Sequence, residues 1–506
     1  MSRAADPVVD AASLRPRIGL EVHARLDTRT KLFCACPNEP LATPNAATCP
    51  VCAGLPGALP TLNRAAVEQA LRIALRLGCT VADVLAFDRK HYAYPDLPKG
   101  YQITQQRKPL GKGGALALDD AASEQGIALR GLHIEEDAGR SRHDAANTLV
   151  DLGRAGAPLV ELVTEPVLTS AREVARFLER LRDELRFVGA AKCDMERGDL
   201  RVDVNVSLEG ARAGGAGIAS PGIEQRSPRI ELRSPRIELK NLNSISAAFD
   251  AVRFETRRLK RALAEGRGGE LVAETRGWNP EQRRSYPLRP KEHATDYRWL
   301  PEPDLAEVRL DPAVLAALGA ELPPRPAEHR ARLARIHDLR PSHVAAMTRS
   351  PARLARFEAL VAAGVEAKRV AKWLTNNQRR LRRELLSAGH EPVALTDERL
   401  AKLLAAWQAG RLSREGTEAV ARELFTGDAR APRTVAEELG LWRPEAAGAL
   451  DLAALIEAAL AAEPGAAADW RAGKAAALQR LVGHVMRAAS GHADGAAVRR
   501  AFEARR

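Results

Sequence analysis

The sequence predicts an α+β protein in which a strand-built N-terminal half precedes helical units. Three observations point there. Four segments before residue 210 alternate apolar and polar residues with the period of two that marks a half-buried strand, or set a carboxylate inside an apolar run. From about Leu305 cysteine vanishes, and Ala, Leu, Arg and Glu dominate to the end, as in helical bundles. Residues 63–77 and 478–486 space their apolar side chains as amphipathic helices do.

Size and charge narrow the classes. A chain of 506 residues allows three or four domains and more than one core. A net charge of +12 and a pI near 9.7 suit a polyanionic partner without naming it. The opening MSRAADPVVDAAS has no apolar signal core, and the most apolar region, residues 450–462, is broken by Asp451 and Glu457. The expectation is a soluble cytoplasmic protein with no membrane partner.

The first strand is expected at residues 18–23, with Ile18, Leu20 and Val22 on one face and Glu21 and His23 on the other. Residues two apart on a strand lie roughly 6.5–7 Å apart, so both can serve one site. Next come Cys34 and Cys36, then Cys49 and Cys52. Two closely spaced thiol pairs joined by a 12-residue loop can close a tetrahedral structural zinc site, with free reduced thiols as the alternative. Cys79 and Cys193 stand alone and are read as packing residues.

After the 63–77 helix, residues 87–102 hold three of the five tyrosines, interleaved with Lys90 and Lys99. Pro95 and Pro98 keep this segment out of helix, which predicts a rigid loop able to stack on a base. A merely structural proline loop is the other reading. Residues 131–166 read as two strands around a polar excursion. The first carries His133 and Glu135 and runs into Glu136 and Asp137; the second buries Glu161 in an apolar run. A buried carboxylate needs a cation, strong donors or a proton. At 201–207 three valines take one face and Asp203, Asn205 and Ser207 the other. Taken singly, each segment is an amphipathic strand with a wet face or a solvated charge run. Together they suggest oxygen ligands, with one nitrogen, around a hard cation such as Mg²⁺.

Residues 209–222 read as a Gly- and Ala-rich loop. RSPRIEL then occurs twice, at 226–232 and 233–239, and only the second copy runs into Lys240, so it is expected to hold the strand. The helical half contains a basic cluster, Gln378 to Arg383, that is either a solvated face or an RNA contact. A seam near residues 391–396 would separate two helical units, and Gly491 would stop the last long helix.

Several motifs combine into a resemblance: IGLEVH (18–23), CPVCAGLPGALPTLN (49–63), FDRKHYAYPDLPKGYQITQ (87–105), LHIEEDAGR (132–140), ELKNLNS (238–244), DYRWLPEPD (296–304) and GKAAALQRLVGHVM (473–486). At this spacing the chain resembles the B-subunit family of the bacterial glutamyl/aspartyl-tRNA amidotransferases, nearly end to end. The resemblance implies a glutamine-synthetase-like antiparallel-sheet cradle (1–304, with the four-cysteine loop at 34–52), a helical linker (305–392) and a helical tRNA-binding tail (393–506). It implies ATP-dependent phosphorylation of the side-chain carboxylate of Glu-tRNA(Gln) or Asp-tRNA(Asn). Ammonia from an amidase A subunit would then displace the phosphate, with a small C subunit completing a heterotrimer.

By this resemblance Glu21, His23 and Glu136 match Mg²⁺-binding positions, and Glu161 and Asp203 match acidic positions in the same cradle. Lys90, Tyr94, Lys99, Tyr101 and Lys240 are expected to bind the nucleotide or the aminoacylated tRNA end. No G-x-x-x-x-G-K-[ST] loop occurs, so ATP would be held without one. No Ser-Ser-Lys amidase signature occurs either, which agrees with an ammonia-supplying partner. The chain departs from the family pattern at His91 and Ala93, at Trp299-Leu300, and in the doubled RSPRIEL. A non-catalytic tRNA-binding scaffold and a metal-dependent hydrolase are the competing classes.

Overall fold

The structure is a computed structural model that describes residues 13–39, 41–118, 126–144, 146–211, 231–290, 297–443, 451–489, 493 and 495–505. They divide into two compact units, Met1–Pro326 and Ala327–Arg506. Most of the 209–222 loop, residues 226–230 of the first RSPRIEL copy, and Gly491 lie outside the described residues.

One sheet, eleven-stranded among the described residues, organises the first unit. Its long strands are β1 (Arg15–Arg25), β2 (Ile127–Glu136), β3 (Pro158–Thr164), β4 (Leu200–Ala211), β5 (Ile237–Leu242), β6 (Glu274–Asn279) and β7 (Arg284–Pro290). They lie in the order β7-β6-β5-β4-β1-β3-β2. Three helices share its core: α1 (Arg64–Arg76), α2 (Ala171–Phe187) and α3 (Ile245–Ala264).

Period-two patterning decides which face is dry. Ile18, Leu20, Val22 and Ala24 of β1 and Val202, Val204, Val206 and Leu208 of β4 are all buried, in one core with Phe177, Leu181, Val252 and Leu259 of the helices. Burying such a side chain contributes about 1.5–3 kcal/mol. A one-residue slip of β1 would forfeit that at Ile18, Leu20 and Val22 and drive Glu21 and His23 into the core, so the parity is secure. The helices start on side-chain caps: the hydroxyls of Ser170 and Ser244 accept the amides of Glu173 (3.2 Å) and Ala247 (3.0 Å).

Four local findings differ from or refine the expectations. The sheet is not wholly antiparallel, since β5 and β6 run parallel. The 20-residue α3 joins them, and a crossover of that length lets the chain re-enter in the same direction. The tyrosine-rich segment is a hairpin of two short strands, Asp88–His91 and Tyr101–Thr104, because its prolines occupy only the connecting turn. The excursion between β2 and β3 forms its own small hairpin, Arg140–His143 with Thr148–Asp151. The second RSPRIEL copy does enter β5, pairing Ile237 with Val206 and Leu239 with Val204.

Residues 305–326, grouped by composition with the helical half, pack on the first unit: helix α4 (Pro312–Ala320) lies against α1, and Leu318 joins the core. The described residues of the second unit form helices and no strand. There the helix Asp397–Gln408 packs on Pro351–Ala362, and Arg356 ties them by bonds to Asp397 (3.1 Å) and the Leu395 carbonyl (2.7 Å). Contacts therefore cross the seam expected near 391–396. The helix Ala475–Ala488 buries Leu481, Val482 and Val485, as its apolar stripe predicts. No helix among the described residues is long and apolar enough to cross a membrane.

Candidate active site

The wet face of the sheet gathers charged groups from strands far apart in sequence. Register sets His23 of β1 opposite Glu161 of β3 on one side and Arg201 of β4 on the other; Glu161 in turn faces His133 of β2. Glu21 faces Asp203. Opposed residues in an antiparallel pair point the same way, so these side chains share one surface. The His23 Nε2 lies 3.4 Å from Glu135 Oε1, 3.5 Å from Glu161 Oε2 and 4.0 Å from Glu21 Oε1. Ligand atoms of Glu21, His23 and Glu161 lie within 4.8 Å of one another.

Three carboxylates around one imidazole leave a surplus of negative charge, and the protonation equilibria show it. Burial, then repulsion from Glu161, pushes Glu135 up to about 7. Glu21 is raised by the same two causes. Burial also resists ionisation of Glu161, but the hydrogen bond and charge of His23 outweigh it and hold Glu161 at about 2. His23 itself loses by burial and gains more from its bond to Glu161 and the charges of Glu135 and Glu161, reaching about 9. An imidazolium thus occupies the place where a cation is wanted. Carboxylates plus one imidazole suit a hard divalent ion, and its binding would displace the proton on His23.

The structure separates the two glutamates that end β2. Period two sends Glu136 the opposite way from Glu135. Glu136 there takes an ion pair from Lys99 and the Ile103 amide at 2.9 Å, while Glu135 accepts from Thr104 Oγ1 at 3.2 Å. Asp203, opposite Glu21, is engaged elsewhere: it accepts Lys240 Nζ at 2.6 Å and the Asn241 amide at 2.8 Å. Glu238, 3.1 Å from the same ammonium and itself bonded by Thr275 at 3.0 Å, completes a clamp on Lys240. Burial opposes the charge on Lys240, but Asp203 and Glu238 raise its pKa overall.

The aromatic residues divide similarly. Tyr94 is 65% exposed. The Tyr101 ring lies under Arg89, 4.3 Å from its centroid, and Lys99 is 5.5 Å from it. Lys90 projects between Tyr297 (4.8 Å) and Tyr92 (6.0 Å), and its charge is felt at Glu135 and Glu161. Sequence reasoning missed Glu135, Arg201, Tyr92, Tyr297 and Glu238 as site residues. Parity within LHIE could have found Glu135, which shares a face with His133. Tyr92 lies in the tyrosine-rich segment, Arg201 shares a strand face with Asp203, and Glu238 and Tyr297 fall in motifs of the resemblance, but nothing local says that they meet the site.

The four cysteines converge as their spacing predicts. Cys52 Sγ lies 4.0 Å from Cys36 Sγ and 3.9 Å from Cys49 Sγ, and the four ligand atoms lie within 4.8 Å of one another. Zinc–sulfur bonds of about 2.3 Å imply tetrahedral sulfur edges of about 3.8 Å, so zinc fits. The hydrogen bond from Cys34, with help from the Cys49 amide and Lys31, lowers Cys52 to about 4, whereas burial and Cys49 push Cys36 up to about 11. Full ionisation of all four thiols needs a cation among them. Beyond Glu21 the wet face opens into a cavity of about 330 Å³, lined among others by Arg17, Arg130, Asn205, Arg233 and Arg236.

A mixed sheet with a metal-capable acidic face, a four-cysteine loop and a separate helical unit make this an α+β protein with two candidate metal sites. Residues 16–316 match the family described as GatB/GatE catalytic domain, and residues 355–505 match the GatB domain. The chain belongs to the GatB/GatE family. It is similar to the B subunit of the aspartyl/glutamyl-tRNA(Asn/Gln) amidotransferase of Thermus thermophilus, 40% identical over 486 residues, covering 96% of this chain and 97% of the relative. The proteins of the same name from Anaeromyxobacter dehalogenans (39%) and Carboxydothermus hydrogenoformans (37%) match over 95% of this chain and 96% of theirs.

Proposed function

We propose that this chain is the carboxylate-activating B subunit of a tRNA-dependent amidotransferase. It phosphorylates the side-chain carboxylate of Glu-tRNA(Gln) or Asp-tRNA(Asn) with ATP, and ammonia from an amidase A subunit, held in the complex by a small C subunit, converts the acyl phosphate to the amide. A carboxylate cannot lose oxide to ammonia, whereas an acyl phosphate loses phosphate readily. The observation that carries the reading is the cluster of Glu21, His23, Glu135 and Glu161 on one rigid sheet face.

In this reading the sheet, with residues 305–326 packed on it, is the glutamine-synthetase-like cradle, followed by a helical linker to residue 392 and the tRNA-binding tail (393–506). Glu21, His23 and Glu161 hold Mg²⁺, with Glu135 or Glu136 completing the set; the 3.4 Å approach of Glu135 to His23 favours Glu135. A divalent ion there supplies neutralisation of charge on the transferring phosphoryl group. Lys240, gripped by Asp203 and Glu238, keeps one orientation at the edge of the acidic cluster. The arginine-rimmed cavity beyond Glu21 has the charge to hold a polyphosphate without a Walker loop. Lys90 with its tyrosine walls, Lys99, Tyr101 and the exposed Tyr94 serve the nucleotide or the aminoacylated end. The four cysteines hold structural zinc.

Reconstitution with the A and C subunits, assaying each mischarged tRNA in turn, tests the activity. ADP release that needs neither mischarged tRNA nor the acidic cluster would overturn it. Within that assay Glu135→Gln is expected to raise the Mg²⁺ requirement about tenfold or more. Glu136→Gln is expected to leave that requirement unchanged while lowering turnover through Lys99. The reverse pattern would transfer the ligand role to Glu136.

For the RNA body, Arg379, Arg382 and Arg383 line a groove of about 630 Å³ together with Arg353 and Arg356. Replacing the first three by Ala is expected to weaken tRNA binding and to reduce the slope of log affinity against log salt by about one for each phosphate no longer engaged. Titrations at several salt concentrations measure both. An unchanged slope would make this a solvated face. Truncation near residue 391 is a poorer test, because it strips the helix Asp397–Gln408 from Pro351–Ala362.

A further inference from the structure

We infer that Lys31 is the charge-balancing and positioning residue of the four-thiolate loop, its buried ammonium held against Cys52 to offset negative charge on the metal-loaded thiolates. This rests on reading the loop as a zinc site. Lys31 is fully buried, at 0% exposure. Its Nζ donates to the Ala47 carbonyl at 2.7 Å and lies 3.4 Å from both Cys52 Sγ and the Leu152 carbonyl. None of these three partners of its ammonium is a carboxylate. Asp151 feels its charge only as the last and smallest of five influences. A buried ammonium without a counter-charge beside it is strongly disfavoured, and carbonyl dipoles alone do not supply one. Four thiolates on a dication leave two negative charges, and this lysine stands where it offsets one of them.

The backbone holds it there. The Lys31 amide donates to the Cys36 carbonyl (2.9 Å) and the Leu32 amide to the Gly156 carbonyl (2.9 Å), so Lys31 sits between the cysteine pairs and the turn at 152–156. Gly156, at φ +82°, packs beside it: a Cβ there would lie in ordinary contact with Cys52 Cβ (3.4 Å), Lys31 Cδ (3.6 Å) and Glu136 Oε2 (3.9 Å). The ammonium therefore joins the cysteine loop, at Ala47 and Cys52, to the turn at Leu152. A lysine that served only as a hydrogen-bond donor would be indifferent to the metal. One that balances charge is coupled to it.

The full-length wild-type protein provides the first test, by amine acetylation and peptide mapping. Lys31 is expected to resist the reagent in zinc-loaded protein. It should become reactive once a chelator has removed the metal and the four thiols react with maleimide. Thiols that open while Lys31 stays protected would overturn the inference. The second test is zinc competition against a chromogenic chelator in Lys31→Met and in Lys31→Gln, which keeps a donor but loses the charge. Both are expected to lose about tenfold or more in zinc affinity. Unchanged affinity in either folded variant would overturn the assignment. Wild-type protein purified with zinc present yet containing none, its thiols already reactive, would instead remove the zinc reading itself and the inference with it.

Discussion

Glu161→Gln is expected to lower mischarged-tRNA-dependent ATP cleavage by at least about a hundredfold, the scale seen when one group aimed at developing charge is removed. Glu161 is the carboxylate of the cluster held most firmly ionised, at about 2, and it lies on β3 between His23 and His133. The amide keeps the volume but turns half of the acceptor into a donor facing His23. Its loss removes one of three negative charges around that imidazole. The remaining pair, Glu21 and Glu135, are the two whose pKa values are raised, so they are the weaker anions. Glutamine hydrolysis by the A subunit should remain measurable, and the melting temperature of the chain should move little. Undiminished ADP release from the reconstituted mutant complex would remove Glu161 from the site.

Replacing Cys49 and Cys52 together with Ser is expected to drop the zinc content from about one per chain to near zero. Zinc bound by a structural four-ligand site is worth on the order of 10 kcal/mol in isolated peptides. Here part of that is shared with other anchors: Asn38 Nδ2 bonds the Leu26 and Thr28 carbonyls at 2.9 and 3.2 Å, and the Asn45 amide bonds Asp151 at 2.9 Å. The expected result is therefore local opening of the loop before global unfolding. Limited proteolysis should cut the mutant within 34–52, and its melting temperature should no longer respond to a chelator. Wild-type protein that contains no zinc after metal-replete purification would favour free thiols.

How much of this was legible follows from the range of the interactions. The four-cysteine loop could be read directly, since its ligands lie within 19 residues and their spacing alone sets the geometry. Lys31, three residues before the first of them, could not: a single lysine between Thr30 and Leu32 carries no pattern, and its burial depends on Leu152, 121 residues away. Across the seam expected at 391–396, Arg356 bonds Asp397 and the Leu395 carbonyl, and nothing local in the sequence says which helices pack.

The chain's own alternation determined which side chains each strand offers to water. Apolar and polar residues at a spacing of two leave one low-energy face for the core, and a slip would bury charge; hence Glu21, His23 and Asp203 were identifiable strand by strand, and Glu161 by its place inside an apolar run. The order in which strands lie side by side is set by long-range packing and crossovers such as α3, and that order alone brings His23 against Glu161 and Glu135. It also assigns Asp203 to Lys240 and Glu136 to Lys99 instead of to His23. Period two is a local property of the backbone, whereas neighbourhood across a sheet is decided only when the whole sheet has formed.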